Sequence, residues 1–202
     1  MRYYILLAVL ITTTAYGQDA APGQRPARHE LTVLTGLSRS GFVGQSLCGW
    51  GGCGESVPSH QLYVNTTLAY NYLRPLGTHW WLGGGVSYAF RSSPQPGTAA
   101  LSAFGEYRMG RNDQRFRPLG RLQAGVGLPV SSNLPLSDRR PGLLFHPAVG
   151  LQLSIGKRQR ALITHLGYRF TDIRYQTVDW QGNPAARELT YRRLTLTLGY
   201  QF

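Results

Sequence analysis

The 202 residues suit one domain of ordinary size and leave little room for two. Charged residues are only 15% and aromatics 11%, which excludes a disordered chain, rich in charge and poor in aromatics, and a helical bundle, which needs Ala, Glu, Lys and Leu in bulk. The formal charge is +12, and the 21 basic residues are all Arg apart from Lys157; that balance points to anionic partners, although a GC-rich genome also favours Arg.

In chain order, the first segment reads as an address. Met1-Arg2 gives a positive start, 3–11 is a short apolar run, and Ala15-Tyr16-Gly17 is a small-x-small cleavage pattern. Residues 1–17 are therefore expected to be a secretory signal peptide, with Gln18 the first mature residue. Residues 18–28 carry two prolines and read as a flexible lead-in. Export gives meaning to Cys48 and Cys53. In an oxidising compartment so close a pair is expected to form a disulfide. A zinc site would need four ligands, and His60 is the only candidate nearby. Trp50 inside that loop is a candidate surface contact, since Trp is favoured at binding hot spots.

From residue 29 to 202 one pattern recurs. Segments 31–37, 62–72, 80–90, 101–107, 122–128, 147–155, 162–170 and 194–202 alternate apolar with small or polar residues. A period of two is a strand with one apolar face. Aromatics gather at the segment ends, among them Tyr70, Tyr72, Trp80, Phe90, Tyr107, Phe170 and Tyr200. Two membrane–water interfaces select that placement, and strands of ~9–11 residues cross a bilayer when tilted. Stretches near 39–60, 91–98, 129–142 and 174–188 read as long loops; those near 73–79, 109–117 and 156–160 read as short turns. Short turns on one side and long loops on the other is the outer-membrane barrel arrangement, with both termini in the periplasm.

The last residues make the pattern specific. Leu194-Thr195-Leu196-Thr197-Leu198-Gly199-Tyr200-Gln201-Phe202 resembles the closing strand of bacterial outer-membrane barrels. Signal peptide, eight strands and the terminal Phe202 together resemble the small eight-stranded outer-membrane protein A/X-type barrels. The resemblance implies an all-β, transmembrane, antiparallel up-and-down barrel over residues 29–202. It also implies that Leu198, Tyr200 and Phe202 are read by the barrel-assembly machinery. The fold hosts many activities, so it implies little about function.

An eight-stranded barrel has an interior that side chains fill. Arg108, Arg121, Arg169, Arg193, Trp81 and Phe104 all fall on the inward parity and argue against an open pore. Counting back from the 109–117 turn sets Glu106 opposite Arg121, an expected ion pair. Counting from the last loop sets Arg169 opposite Arg193. Two facing guanidiniums repel, so this pair is either an anion or lipid-phosphate site, a place screened by Asp172 or Glu188, or a register displaced by a residue or so. Gly83-Gly84-Gly85 lacks the Lys and helix of a phosphate loop and is expected to let the strand bend or fit around Trp81 at a barrel corner.

Catalysis has little support. No His-x-Ser of the lipid A deacylase kind occurs, and no cofactor or metal site is indicated. Nucleic acid is set aside because the chain is exported. The rim arginines Arg39, Arg91, Arg139, Arg140, Arg174 and Arg187 are suited to lipopolysaccharide phosphates. The expected role is therefore a monomeric, filled outer-membrane barrel with a structural or surface-interaction role. A narrow porin, an assembly or secretion factor and a lipid A-modifying enzyme are the alternatives.

Overall fold

The computed structural model describes residues 26–46, 61–90, 96–111, 114–131, 137–156, 160–178 and 184–202. They form strands β1 (Arg28–Ser46), β2 (Gln61–Pro75), β3 (Trp80–Phe90), β4 (Gly97–Arg108), β5 (Phe116–Ser131), β6 (Ser137–Arg140), β7 (Gly142–Ile155), β8 (Arg160–Val178) and β9 (Pro184–Gln201). The expected signal peptide, most of the lead-in and the Cys48–Cys53 loop with Trp50 lie outside the described residues.

Eight of these strands make a closed wall. Each pairs antiparallel with its neighbour in the chain, and β9 closes the ring by pairing with both β1 and β8. Closure runs to the end of the chain: the Phe202 and His29 amides and carbonyls exchange two backbone hydrogen bonds of 3.0 Å. The ninth strand, β6, is an addition to the expected eight. It lies in the stretch expected to be a loop and pairs only with β8, at Ser137 with Gln176 and Arg140 with Arg174.

Alternation became inside and outside. From Tyr191 to Phe202 every second side chain is buried and its neighbours are exposed. The exposed large apolar residues occur on every wall strand, for example Leu31, Val64, Leu82, Leu101, Val126, Val149, Leu166 and Leu198. A belt of this kind is the reverse of a soluble sandwich, whose bulky apolar residues face inward.

The interior holds the expected inward Trp81 and Phe104 and further apolar side chains besides. Two apolar clusters sit inside the wall. Leu73, Trp81 and Phe104 lie toward the end that carries the termini. Ile173, Tyr175 and Tyr191 lie toward the far end. Apolar side chains fill space there without requiring hydrogen bonds.

Two further differences have physical reasons. The wall is taller than expected where β8, β9 and β1 meet: Val178 pairs with Pro184 and Ser46 with Ala185. Above the apolar belt the outward face no longer needs apolar residues, so the period fades while backbone pairing continues. Second, the room left by the glycine run goes to Phe104 and Asn71 rather than to Trp81. A Cβ on Gly83 would meet the Phe104 ring and stand 2.5 Å from the Tyr72 carbonyl oxygen; one on Gly85 would meet the Asn71 amide. At the edge that carries the termini, Gly110 (φ 79°) and Gly156 (φ 65°) occupy left-handed turn positions that favour glycine.

Candidate functional site

The barrel interior holds most of the chemistry of the described residues, in two layers. The first lies toward the terminal end. Glu106 and Arg121 are direct cross-strand partners on β4 and β5. Their side chains are buried, and Arg121 Nε donates to Glu106 Oε2 at 2.8 Å while Nη2 also donates to that oxygen. The same guanidinium makes a bidentate pair with Glu30, Nη1 to Oε1 at 2.6 Å and Nη2 to Oε2 at 2.7 Å. Glu30 is on β1, which lies diametrically across the ring from β5. The lumen is narrow enough for one arginine to bridge it.

Neighbours complete the set. Arg108 Nε donates to Glu106 Oε1 at 2.6 Å, and its Nη2 donates to Gln201 Oε1 at 3.3 Å. Gln201 Nε2 donates to Glu30 Oε2 at 2.9 Å, and Asn71 Nδ2 to Glu30 Oε1 at 3.0 Å. The arginines also lie on aromatic faces: Arg108 over Trp81 at 4.2 Å and Arg121 over Phe104 at 4.6 Å. Glu30, Glu106 and Arg108 are fully buried and Arg121 nearly so. Two carboxylates and two guanidiniums balance in charge, which is the condition for keeping ions out of water.

The sequence reading missed Glu30. It shares the inward parity of Thr32 on β1, so its side was legible. Its partner was not, because a contact across the lumen leaves no trace in local register.

The second layer is a hydrogen-bonded chain across the wall. Thr195 Oγ1 lies 2.9 Å from His146 Nε2, and His146 Nδ1 lies 3.3 Å from Gln123 Oε1. Gln123 Nε2 donates to Ser102 Oγ at 2.7 Å, and Ser102 donates to the Gly85 carbonyl at 3.3 Å. The chain ties β9, β7, β5, β4 and β3 together. With the Gln123 oxygen accepting, His146 carries its proton on Nδ1 and accepts from Thr195 at Nε2.

Arg169 and Arg193 lie beyond this layer toward the far end. They are cross-strand partners on β8 and β9 and are 4% and 1% exposed. The structure does not bring them to one space in the same way. Arg169 borders a cavity of about 20 Å³ together with His146, His165, Thr67 and Thr197. Arg193 instead lies 5.5 Å from the Tyr191 ring. Asp172, an expected screen, lies 3.8 Å from Arg174.

On the outside, Leu198, Tyr200 and Phe202 all face outward and are exposed. His29 stacks on both Tyr70 and Phe202, and Tyr200 stacks on Phe202, so aromatic rings line the closing seam. At the far end the exposed arginines Arg139, Arg140, Arg174 and Arg192 stand above the belt. Among the described residues no group of three or more His, Cys, Asp or Glu is placed to hold a metal ion.

This closed ring of eight antiparallel strands has counterparts among solved structures. Over 89% of this chain and 98% of the other, it superposes on the outer membrane protein OprG from Pseudomonas aeruginosa, with a TM-score of 0.56 and 10% identity. The fold is that of the small eight-stranded outer-membrane barrels. Neisserial surface protein A (NspA) matches over 88% of this chain and 98% of its own, with a TM-score of 0.48 and 10% identity. No protein-family model and no curated protein matches the sequence. At such identity the likeness speaks for the barrel and not for what its interior or rim does.

Proposed function

We propose that the chain is an integral outer-membrane barrel that does not conduct, and that its role is structural or surface-interacting. The observation that carries this reading is the pairing of an exposed apolar belt with a filled interior. Soluble monomers rarely expose apolar patches beyond a few hundred Å², whereas here Val64 on β2 is 67% exposed, Leu143 on β7 70% and Leu101 on β4 62%, on three different strands. On β9 the belt runs from Leu194 to Phe202, which at ~3.3 Å per residue and ~40° tilt rises about 20 Å, close to the ~25 Å apolar band of membrane barrels. The OprG likeness supports the outer membrane as the location.

Inside, Trp81, Phe104, Arg108, Arg121, Arg193 and Tyr191 are buried. The mid-lumen cavity of about 20 Å³ is close to the size of one water. That favours a plug over a porin. The far-end arginines fit lipopolysaccharide phosphates as anchors, and the outward Leu198, Tyr200 and Phe202 fit an assembly signal. Neither needs a cofactor.

The test is refolding of the mature chain from urea into detergent, then into planar bilayers. We expect a band whose gel mobility in SDS changes on boiling, β-type circular dichroism and no stepwise conductance. A chain that folds in plain buffer without the mobility change would overturn the membrane reading. Discrete conductance steps would overturn the plug.

A further inference from the structure

The cavity in the middle of the lumen has polar groups that the surrounding packing does not use. Four polar atoms of its lining are buried with no hydrogen-bond partner among the described residues: Thr67 Oγ1, Ser87 Oγ, His165 Nε2 and Thr197 Oγ1. They belong to lining residues of β2, β3, β8 and β9, so four strands bring such a residue to one cavity. Thr67, His165 and Thr197 are 0%, 2% and 5% exposed. Buried polar atoms are nearly always satisfied, by protein or by something held between them.

The charge of the lining says which kind of occupant fits. Arg121 and Arg169 border the cavity, and no carboxylate does. Glu30 and Glu106 hold Arg121 from below, and Arg169 is the second guanidinium at the lining. Across the described residues the buried ionised groups are Arg108, Arg117, Arg121, Arg169 and Arg193 against Glu30 and Glu106. A cation is disfavoured there. A sugar or a nucleotide is far larger than about 20 Å³, whereas one water or one ion of similar size fits. Hydroxyl and imidazole N–H groups are donors to an anion.

We propose that this cavity binds a single halide-sized inorganic anion. The hydroxyls of Thr67, Ser87 and Thr197 and the Nε2–H of His165 donate to it, and Arg169 provides the attracting charge. His146 takes no part, because its Nε2 accepts from Thr195. The site is therefore not the Arg169–Arg193 pair itself: only Arg169 borders it. The inference depends on the barrel interior and not on where the barrel resides. The anion would act as an internal tie, joining strands on both sides of the seam.

The test uses the full mature chain refolded in detergent. Thermal unfolding is followed in sodium bromide and in sodium gluconate at equal ionic strength, and crystals grown in bromide are examined for anomalous scattering. A bound anion stabilises the folded state in proportion to the logarithm of its concentration above its dissociation constant. We expect a saturable rise of the midpoint in bromide and an anomalous peak within the cavity. Thr67→Val and Arg169→Gln should each weaken the apparent bromide affinity by about tenfold or more, with the heat-modifiable band retained. Should Arg169→Gln fail to refold, Thr67→Val reads the site alone. Ordered water in the cavity without bromide overturns the proposal, as does a bromide response that Thr67→Val leaves unchanged. Bromide found only at exposed arginines, an adventitious ion only, overturns it as well. A wild-type chain with no heat-modifiable band would instead count against the barrel in the membrane.

Discussion

The two halves of the lumen solve the same problem in different ways. Toward the terminal end, Arg108 and Arg121 are interleaved with Glu30 and Glu106, and the amides of Asn71 and Gln201 satisfy the remaining carboxylate lone pairs. Toward the far end two guanidiniums, Arg169 and Arg193, hold facing positions, and both buried carboxylates of the described residues lie in the other half. The lesson is that burial of a charge is not one kind of event. In the first half each ion is inside because its neighbours require it there. In the second, like charges face one another across the strand pair, and such pairs are destabilising in a sheet.

The sharpest way to break this contrast is to remove one arginine from each half. Arg121→Met leaves two carboxylates buried without their shared partner and should cost about 3–5 kcal/mol of stability. Arg193→Met removes one of two facing like charges and keeps the side-chain volume. It should cost less than Arg121→Met, because Glu30 and Glu106 keep their shared partner. Urea titration of the two refolded variants reads both. An equal loss for Arg193→Met would mean that the far half is as tightly networked as the other.

Packing offers a smaller test of the same comparison. Gly83→Ala places a Cβ against the Phe104 ring and the Tyr72 carbonyl and should cost about 1–3 kcal/mol. Phe104→Leu in the same chain should recover part of it. Gly127→Ala, in the far half, meets the Thr98 and Thr171 methyl groups at 3.2 and 3.6 Å and the Ala99 carbonyl oxygen at 3.9 Å, and should change stability by less than about 1 kcal/mol. Thermal midpoints in one detergent check the pair.

A last test lies at the boundary between the halves. His146→Leu removes the middle of the Thr195–Gln123 chain and leaves the buried Thr195 hydroxyl and the half-buried Gln123 amide without their partner, for a loss of about 1–2 kcal/mol. His146→Gln should recover most of that loss, since an amide can both donate and accept. A Leu variant as stable as wild type would show that water replaces the ring.

Much of this was open to reading in the residues. The outward belt followed from the period of two, because alternation is a local property of each strand. So did the facing of Glu106 and Arg121, which one short turn connects. The wall height was misread at 39–46, 174–178 and 184–188, where pairing outlasts the apolar pattern that announces it. Glu30 was overlooked because its partner Arg121 is 91 residues away and on the opposite wall.

The sequence by itself therefore determined eight amphipathic strands, their order, which face of each is apolar, and which residues meet across a short turn. Those facts depend only on the pleat and on the length of one connection. Tertiary structure alone decided that β6 adds to the wall beside β8, that Arg121 spans the lumen to Glu30, and that Thr67, Ser87, His165 and Thr197 line one cavity. Each of these depends on how the strands tilt and stagger around the ring, and ring closure is a property of all eight together.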